Sequence, residues 1–295
     1  MNKRKGIILA GGSGTRLFPS TKSISKQLLP VYDKPMVYYP LDILLQANIN
    51  EILLISSKDH IHLYENLLGN GNALGISIKY KIQDKPNGLA EAFIIGEDFI
   101  GDDSVALILG DNIFYGKNLG RKIDECWKKN NGATIFGYSV ANPNRFGVIE
   151  FDSSNNVVNI VEKPKKTVSN YAVTGLYIYN NEVINVAKNI KPSSRGELEI
   201  TDVNNAYIQK KKMNVTILDK EFTWLDTGTH ESLLEACQFV HTVEKLQGIK
   251  LACIEETALS KGWIRSSEVK CGLHKFQNSS YSKYLLKVIN KYENN

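Results

Sequence analysis

The chain has 295 residues, 42% of them apolar, with 36 basic residues against 31 acidic ones and a formal charge of +5. This suffices for one large α/β core or two small ones, and the charge is too mild and scattered for a nucleic-acid footprint, though it suits small anionic substrates. No run approaches the ~20 apolar residues that a membrane helix needs, and Cys126, Cys237, Cys253 and Cys271 form no CxxC pair, so no membrane partner or cysteine metal site is expected. The four thiols are expected to be buried and free, in a cytoplasmic protein.

In chain order, Gly6–Ala10 is an apolar run that passes at once into glycines, which marks a buried first strand rather than a signal peptide. Short β-branched runs at Glu51–Ser57, Ile76–Gln83 and Val105–Leu109 predict three further strands. Between them, Met36–Ala47, opened by Pro35, and Leu89–Phe99, preceded by Pro86-Asn87-Gly88, have helical spacing. This alternation predicts a Rossmann-like, mostly parallel central sheet flanked by helices, with ligands at the C-terminal ends of its strands. Ala133–Val140, Gly147–Phe151, Val157–Glu162 and Val173–Tyr179 read as strands added to the same sheet, with a hairpin turn at Asp152–Asn156. Helical patterns from His230 to Gln247 and from Tyr281 to the end predict a packing or oligomer layer without chemistry of its own. No repeat or linker interrupts the chain, so residues 1–240 are expected to carry the chemistry and 241–295 to form a helical extension packed on them.

The first strand runs into Gly11-Gly12-Ser13-Gly14-Thr15-Arg16, where missing side chains let backbone N–H groups approach phosphate oxygens and Arg16 adds a fixed fork of charge. Leu17 stands where the third glycine of GxGxxG would be, and the loop is not GxxxxGK[ST] either. A dinucleotide-binding dehydrogenase and a P-loop NTPase are both disfavoured. Lys26, directly before Gln27-Leu28-Leu29-Pro30, is a second cation whose buried-looking surroundings demand a partner. Asp111 follows the buried run Ala106–Gly110, and Asp226 lies between Trp224-Leu225 and Thr227-Gly228. Magnesium takes one or two protein carboxylates and completes its shell with waters and substrate phosphates, so these two aspartates suffice for a metal–triphosphate site. Glu162-Lys163 at a strand end sets an acceptor beside a cation, and Arg195 offers a further cation.

Seven segments in order carry a resemblance: Gly-Gly-Ser-Gly-Thr-Arg-Leu from Gly11, Ser25 to Met36, Leu109 to Asn112, Val161 to Pro164, Tyr171 to Tyr177, Arg195 to Asn204, and Trp224 to Thr229. From about Lys5 to Gly248 the chain resembles the sugar nucleotidyltransferases, and within them the bacterial glucose-1-phosphate thymidylyltransferases. The resemblance implies that Arg16, Lys26, Asp111 and Asp226 are the catalytic set, with Mg2+ on Asp111 and Asp226. It implies a nucleotide site of Leu9, Gly11, Gly12, Gly14, Thr15, Gln27, Gln83, Pro86, Gly88, Leu89 and Asn112, in which Gln83 and Gly88 read the thymine edge. A sugar-phosphate site follows from Gly147, Glu162, Lys163, Val173, Tyr177, Arg195, Thr201 and Trp224. The substrates would be dTTP and glucose 1-phosphate, the product dTDP-glucose for dTDP-rhamnose synthesis, and the assembly a homotetramer. Feedback by dTDP-rhamnose would act at a second site near Tyr115 and Gly116. Phe146 departs from the family's usual tyrosine and removes a hydroxyl near the sugar. Two alternatives stand beside this reading: the same chemistry with UTP or CTP, and a sugar-nucleotide sensor that binds without turnover. A glycosyltransferase would normally show an Asp-x-Asp motif at a strand end, which is missing here.

Overall fold

The computed structural model describes residues 3–12, 14–273 and 278–293. Ser13 of the glycine loop and the last two residues of the expected C-terminal helix lie outside the described residues.

The first half comprises β1 (Arg4–Leu9), the hairpin β2 (Pro30–Val31) and β3 (Lys34–Pro35), α1 (Tyr38–Gln46), β4 (Glu51–Ser56), α2 (Ile61–Leu68), β5 (Ser77–Ile82), α3 (Glu91–Ile95), α4 (Glu97–Ile100) and β6 (Ser104–Leu109). Strands β6, β1, β4 and β5 lie side by side and parallel in that order. Because β1 has β4 on one side and β6 on the other, the chain leaves it in opposite directions and a crevice opens at its C-terminal end. The glycine loop occupies that crevice.

The second half comprises β7 (Asn112–Gly116), α5 (Leu119–Lys129), β8 (Ala133–Ser139), β9 (Gly147–Phe151), β10 (Val157–Glu162), β11 (Tyr171–Tyr179), α6 (Glu182–Asn189), α7 (Ile200–Gln209), β12 (Met213–Leu218) and β13 (Phe222–Asp226). Strand β11 joins the halves by running antiparallel to β6, with Leu176 opposite Ile108. It also pairs with β8 and, at Ala172, with β9, while β12 extends β8 and β10 extends β9. Among the described residues these strands form one nine-stranded mixed sheet. Between Val173 and Tyr177 the ladder with β8 is interrupted, which frees that stretch of β11 to shape a pocket. Strands β7 and β13 form a separate antiparallel pair that places Asp226 opposite Asn112.

Successive strand residues point to opposite faces, so each face acquires its own core. Ile8, Leu54, Ile108 and Leu176 pack with Leu41 and Leu45 of α1. Ile7, Leu53, Leu107 and Tyr177 pack with Phe93 of α3 and Val203 of α7.

The remainder is helical: α8 (His230–Gln247), α9 (Ile254–Ser260), α10 (Ser266–Leu273) and α11 (Ser280–Glu293). Residue 240 lies within α8, where Val240 is buried. Helix α8 is fastened to the β2–β3 hairpin through buried charges: Lys34 Nζ lies 2.9 Å from Glu244 Oε1, and Lys250 bridges Glu244 and Asp33.

Two expectations are corrected. The single helix over Leu89–Phe99 is two short ones parted at Gly96, where a Cβ would stand 2.9 Å from the carbonyl oxygen of Ala92. Of the thiols only Cys253 is buried; Cys126 and Cys237 are half-buried and Cys271, on the small helix α10, is exposed. Among the described residues, no helix is long and apolar enough to cross a membrane.

Candidate active site

Strand β1 delivers the chain into a loop whose glycines take backbone conformations that side chains resist, with φ 99° at Gly12 and 58° at Gly14. The carbonyl oxygens of the loop are held from behind: Gln27 Nε2 donates to Gly11 at 3.1 Å and Thr21 Oγ1 to Gly14 at 2.8 Å. Among the described residues nothing accepts from the N–H groups of Gly11, Gly12 and Gly14. A loop with the Gly11 and Gly14 carbonyls engaged from behind and its described glycine N–H groups free is suited to an anion. Arg16 is exposed beside it, its guanidinium close to Gly228, whose added Cβ would stand 3.4 Å from Nη1.

Lys26 finds the partner that its burial demands in Asp111, 2.5 Å from Nζ to Oδ2, although Lys26 is only 7% exposed. The other oxygen of Asp111 accepts from Asn112 Nδ2 at 2.9 Å, and its backbone carbonyl accepts from Thr227 Oγ1 at 2.8 Å. Burial and the charge of Asp111 push the Asp226 carboxyl above its ordinary range, while Lys26, Arg16 and Arg145 oppose the shift. Arg145 Nη2 lies 3.6 Å from Asp226 Oδ2. Asp111 and Asp226 are two hard carboxylates, and the charge of the first raises the proton affinity of the second; together they form a fitting donor set for Mg2+, which would relieve that repulsion. Among the described residues no group of three metal-ligating side chains forms a closed cage, so the remaining ligands would have to come from water and substrate.

Both acids open onto a cleft of about 670 Å³ whose far wall is built by β9, β10, β11 and α7. Glu162, at the end of β10, accepts from Thr201 Oγ1 of α7 at 2.7 Å. Gly147 sits beneath this pair, since an added Cβ would meet Glu162 Oε2 and Thr201 Oγ1 at 3.4 Å each. Lys163 reaches Glu162 Oε1 at 3.3 Å, and Arg195 bonds Glu199 at 2.9 Å with Glu162 at 3.6 Å. Val173 and Tyr177 of the interrupted part of β11 form the floor. The Trp224 indole donates to Asn112 Oδ1 at 2.6 Å and packs against the Phe146 ring, 5.0 Å between centroids. Phe146 thus serves as a packing surface for the tryptophan wall.

A profile described as "Nucleotidyl transferase" matches residues 5–243. The chain belongs to this family. The nucleotidyltransferase is 51% identical over 287 residues to a glucose-1-phosphate thymidylyltransferase of Neisseria meningitidis, covering 97% of this chain and 100% of the relative. It is 49% identical to that of Mycobacterium tuberculosis over 97% of this chain and 99% of the relative. A crystal structure of a putative glucose-1-phosphate thymidylyltransferase from Bacillus anthracis superposes with a TM-score of 0.75 at 42% identity, over 80% of this chain and 94% of that one. A UDP-glucose pyrophosphorylase complexed with UDP-glucose superposes with a TM-score of 0.71 at 26% identity, over 82% and 99%. The mixed sheet with flanking helices is the sugar nucleotidyltransferase fold.

In this nucleotidyltransferase the expected residues fall into two neighbouring groups. Arg16, Leu89, Asp111, Gly147, Glu162, Lys163, Val173, Tyr177, Arg195, Trp224 and Asp226 line the cleft together. Gln83 lies against the glycine loop, its Oε1 within 2.8 Å of where a Gly11 Cβ would be, and it donates to the Gly88 carbonyl at 3.3 Å. Pro86 is exposed on the intervening loop, while Leu9 is buried at the end of β1 and Thr15 is exposed. The amides of Gln27 and Asn112 are engaged within the protein: Gln27 steadies the loop, and Asn112 ties Asp111 to Trp224 and to the Gly175 N–H. Tyr115 and Gly116 line a separate cavity of about 360 Å³ with Asp42, Lys250 and Glu256. Sequence reasoning missed Arg145, the residue just before Phe146, because an exposed arginine after Asn144 has no local pattern to set it apart.

Proposed function

We propose that the chain transfers a thymidylyl group from dTTP to glucose 1-phosphate, giving dTDP-glucose and pyrophosphate. The observation that carries the reading is a single cleft onto which Arg16 at the end of the glycine loop, Asp111, Asp226 and the polar wall of Glu162, Lys163 and Arg195 all open, with Thr201 donating to Glu162. The names of the full-length relatives agree with it.

An oxygen of the sugar phosphate attacks the α-phosphorus in line, forming one P–O bond as the bond to the β-phosphate oxygen breaks. The electron pair leaves with pyrophosphate. The attacking phosphate is already ionised at neutral pH, so no side chain has to remove a proton, and catalysis is positioning with charge neutralisation. The glycine loop and Lys26 hold the triphosphate, and Arg16 bears on the phosphorus and the departing charge. Asp111 and Asp226 would hold Mg2+, which would supply further neutralisation at the phosphates. Glu162, steadied by Thr201, accepts from sugar hydroxyls, while Lys163 and Arg195 take the sugar phosphate. Gln83 and Gly88 face the base, with Leu89 beside it. The product would serve dTDP-deoxysugar synthesis such as that of dTDP-rhamnose, in the cytoplasm. The cavity at Tyr115 and Gly116 supports a second, regulatory nucleotide site for dTDP-rhamnose in a homotetramer.

The test is pyrophosphate release with glucose 1-phosphate, Mg2+ and each of dTTP, UTP, CTP, ATP and GTP. Turnover is expected to be strongest with dTTP, and Arg16→Ala should lower kcat on the order of a hundredfold. Binding of dTTP without turnover of any nucleotide would instead establish a sensor.

A further inference from the structure

We propose that Glu91, which no part of the reaction above uses, is a positioning residue that sets which bases the site accepts. It does so by locking the Gln83 amide so that an oxygen, and not an N–H, faces the nucleotide. The inference rests on the reading that the base lies at Gln83.

Gln83 follows the end of β5 and is buried. Its Nε2 donates to Glu91 Oε2 at 2.7 Å and to the Gly88 carbonyl at 3.3 Å. A carboxylate and a backbone carbonyl can only accept, so turning the amide over would set Oε1 against two other acceptors and leave both without this hydrogen bond. Glu91 is itself held: its other oxygen accepts from Asn87 Nδ2 at 2.8 Å, and its backbone opens α3. The Gln83 Oε1 is therefore fixed beside Gly11 on the side of the phosphate loop. Among the described residues no donor reaches it.

An acceptor of fixed orientation on a buried side chain selects a base that brings it a hydrogen. Thymine and uracil carry N–H at ring position 3. Cytosine presents a bare nitrogen lone pair there, so it meets repulsion and leaves Oε1 unpaired. Sites that hydrogen-bond a substrate group reject analogues lacking it far more strongly than apolar pockets reject a methyl group. The chemistry chosen is thus an imide pyrimidine; Glu91 has no bearing on thymine against uracil, which differ by a methyl group.

The test is kcat/KM for dTTP and dCTP, with equilibrium binding of dTMP and dCMP as a readout independent of turnover. Wild type is expected to favour the thymine nucleotide about a hundredfold or more. Glu91→Gln, whose own amide can donate, permits Gln83 to turn over. It should narrow the ratio at least about tenfold, through KM and in binding alike, with the KM for glucose 1-phosphate nearly unchanged. Asn87→Ala, a change on the exposed loop, should narrow it in the same direction by less. A folded Glu91→Gln protein that loses activity on both nucleotides equally, with the ratio intact, would show that Glu91 only supports the loop and would overturn the proposal. If Glu91→Gln does not fold, an unchanged ratio in Asn87→Ala overturns it. Wild type showing no preference between dTMP and dCMP would overturn the base assignment itself, and this proposal with it.

Discussion

At the scale of single residues, Asp226 is set where ionisation is unfavourable, although the proposed reaction calls for its charge. The unfolded chain ionises this carboxyl at its ordinary value of 3.8, whereas burial first and Asp111 second raise the folded value. Between the two, the unfolded state loses its proton first, so stability falls as pH rises through that window and stays lower above it. Asp226→Asn is therefore expected to melt higher than wild type at neutral pH in chelator, with the gain disappearing in acid below the ordinary carboxylate range. Its turnover should fall on the order of a hundredfold. Melting curves at both pH values, beside a pyrophosphate assay, check this; equal melting at neutral pH would mean that Lys26, Arg16 and Arg145 already offset the burial. Much of this site was legible in the sequence because its chemistry is concentrated in residue type and spacing: a glycine loop after a strand, and acids at strand ends. The pairing of Lys26 with Asp111 was not, since it joins distant residues, although burial of the Leu-Leu-Pro that follows required some partner.

At the scale of elements, α1 is tied to α9 by a buried carboxyl. Asp42 accepts from Thr257 Oγ1 at 2.5 Å and from Gln46 Nε2 at 2.7 Å, and burial pushes it up to about 6. The raised value means that stability from this group is present below 3.8 and lost as pH rises through about 6. Asp42→Asn keeps the acceptor for Thr257 and is expected to stabilise the protein at neutral pH by up to about 3 kcal/mol. Urea unfolding in neutral and in acidic buffer measures the difference, and a destabilised variant at neutral pH would contradict it. Element legibility followed local signals. Helix α8 was read to its ends because Thr229 and Ser232 form a capping box before it and Gly248, at φ 68°, stops it. Strand β7 is short and begins directly after Gly110-Asp111, so nothing in the local pattern separates it from a turn. Helix α5 is crowded with charges, and its buried stripe of Leu119, Ile123 and Trp127 is too thin to stand out.

At the scale of the whole molecule, the two halves, joined in the sheet by β6 and β11, also meet where the loop of Gly88 touches that of Leu198. Gly88 has φ 109°, and a Cβ there would lie 2.3 Å from the Leu198 carbonyl oxygen. Leu198 N donates to the Asn87 carbonyl at 2.6 Å, and Ala90 N donates back to that of Leu198. Gly88→Ala should force these loops apart, lowering stability by about 2 kcal/mol and nucleotide kcat/KM by about tenfold or more. Thermal melts and steady-state kinetics test both, and an unaltered kcat/KM would show that the junction does not bear on the site. The parallel half of the sheet was legible because its strands alternate with helices along the chain. The order of β8 to β12 was not, since pairing between distant strands leaves no periodic trace. The β7–β13 ladder has a consequence for how the protein is made. Asp111 precedes one strand of that pair and Asp226 ends the other, and β9, β10, β11 and α7, which build the far wall of the cleft, lie between them in the chain. Synthesis from the N-terminus therefore completes the far wall before Asp226 is added, so a half-made chain holds Asp111 without its acidic neighbour.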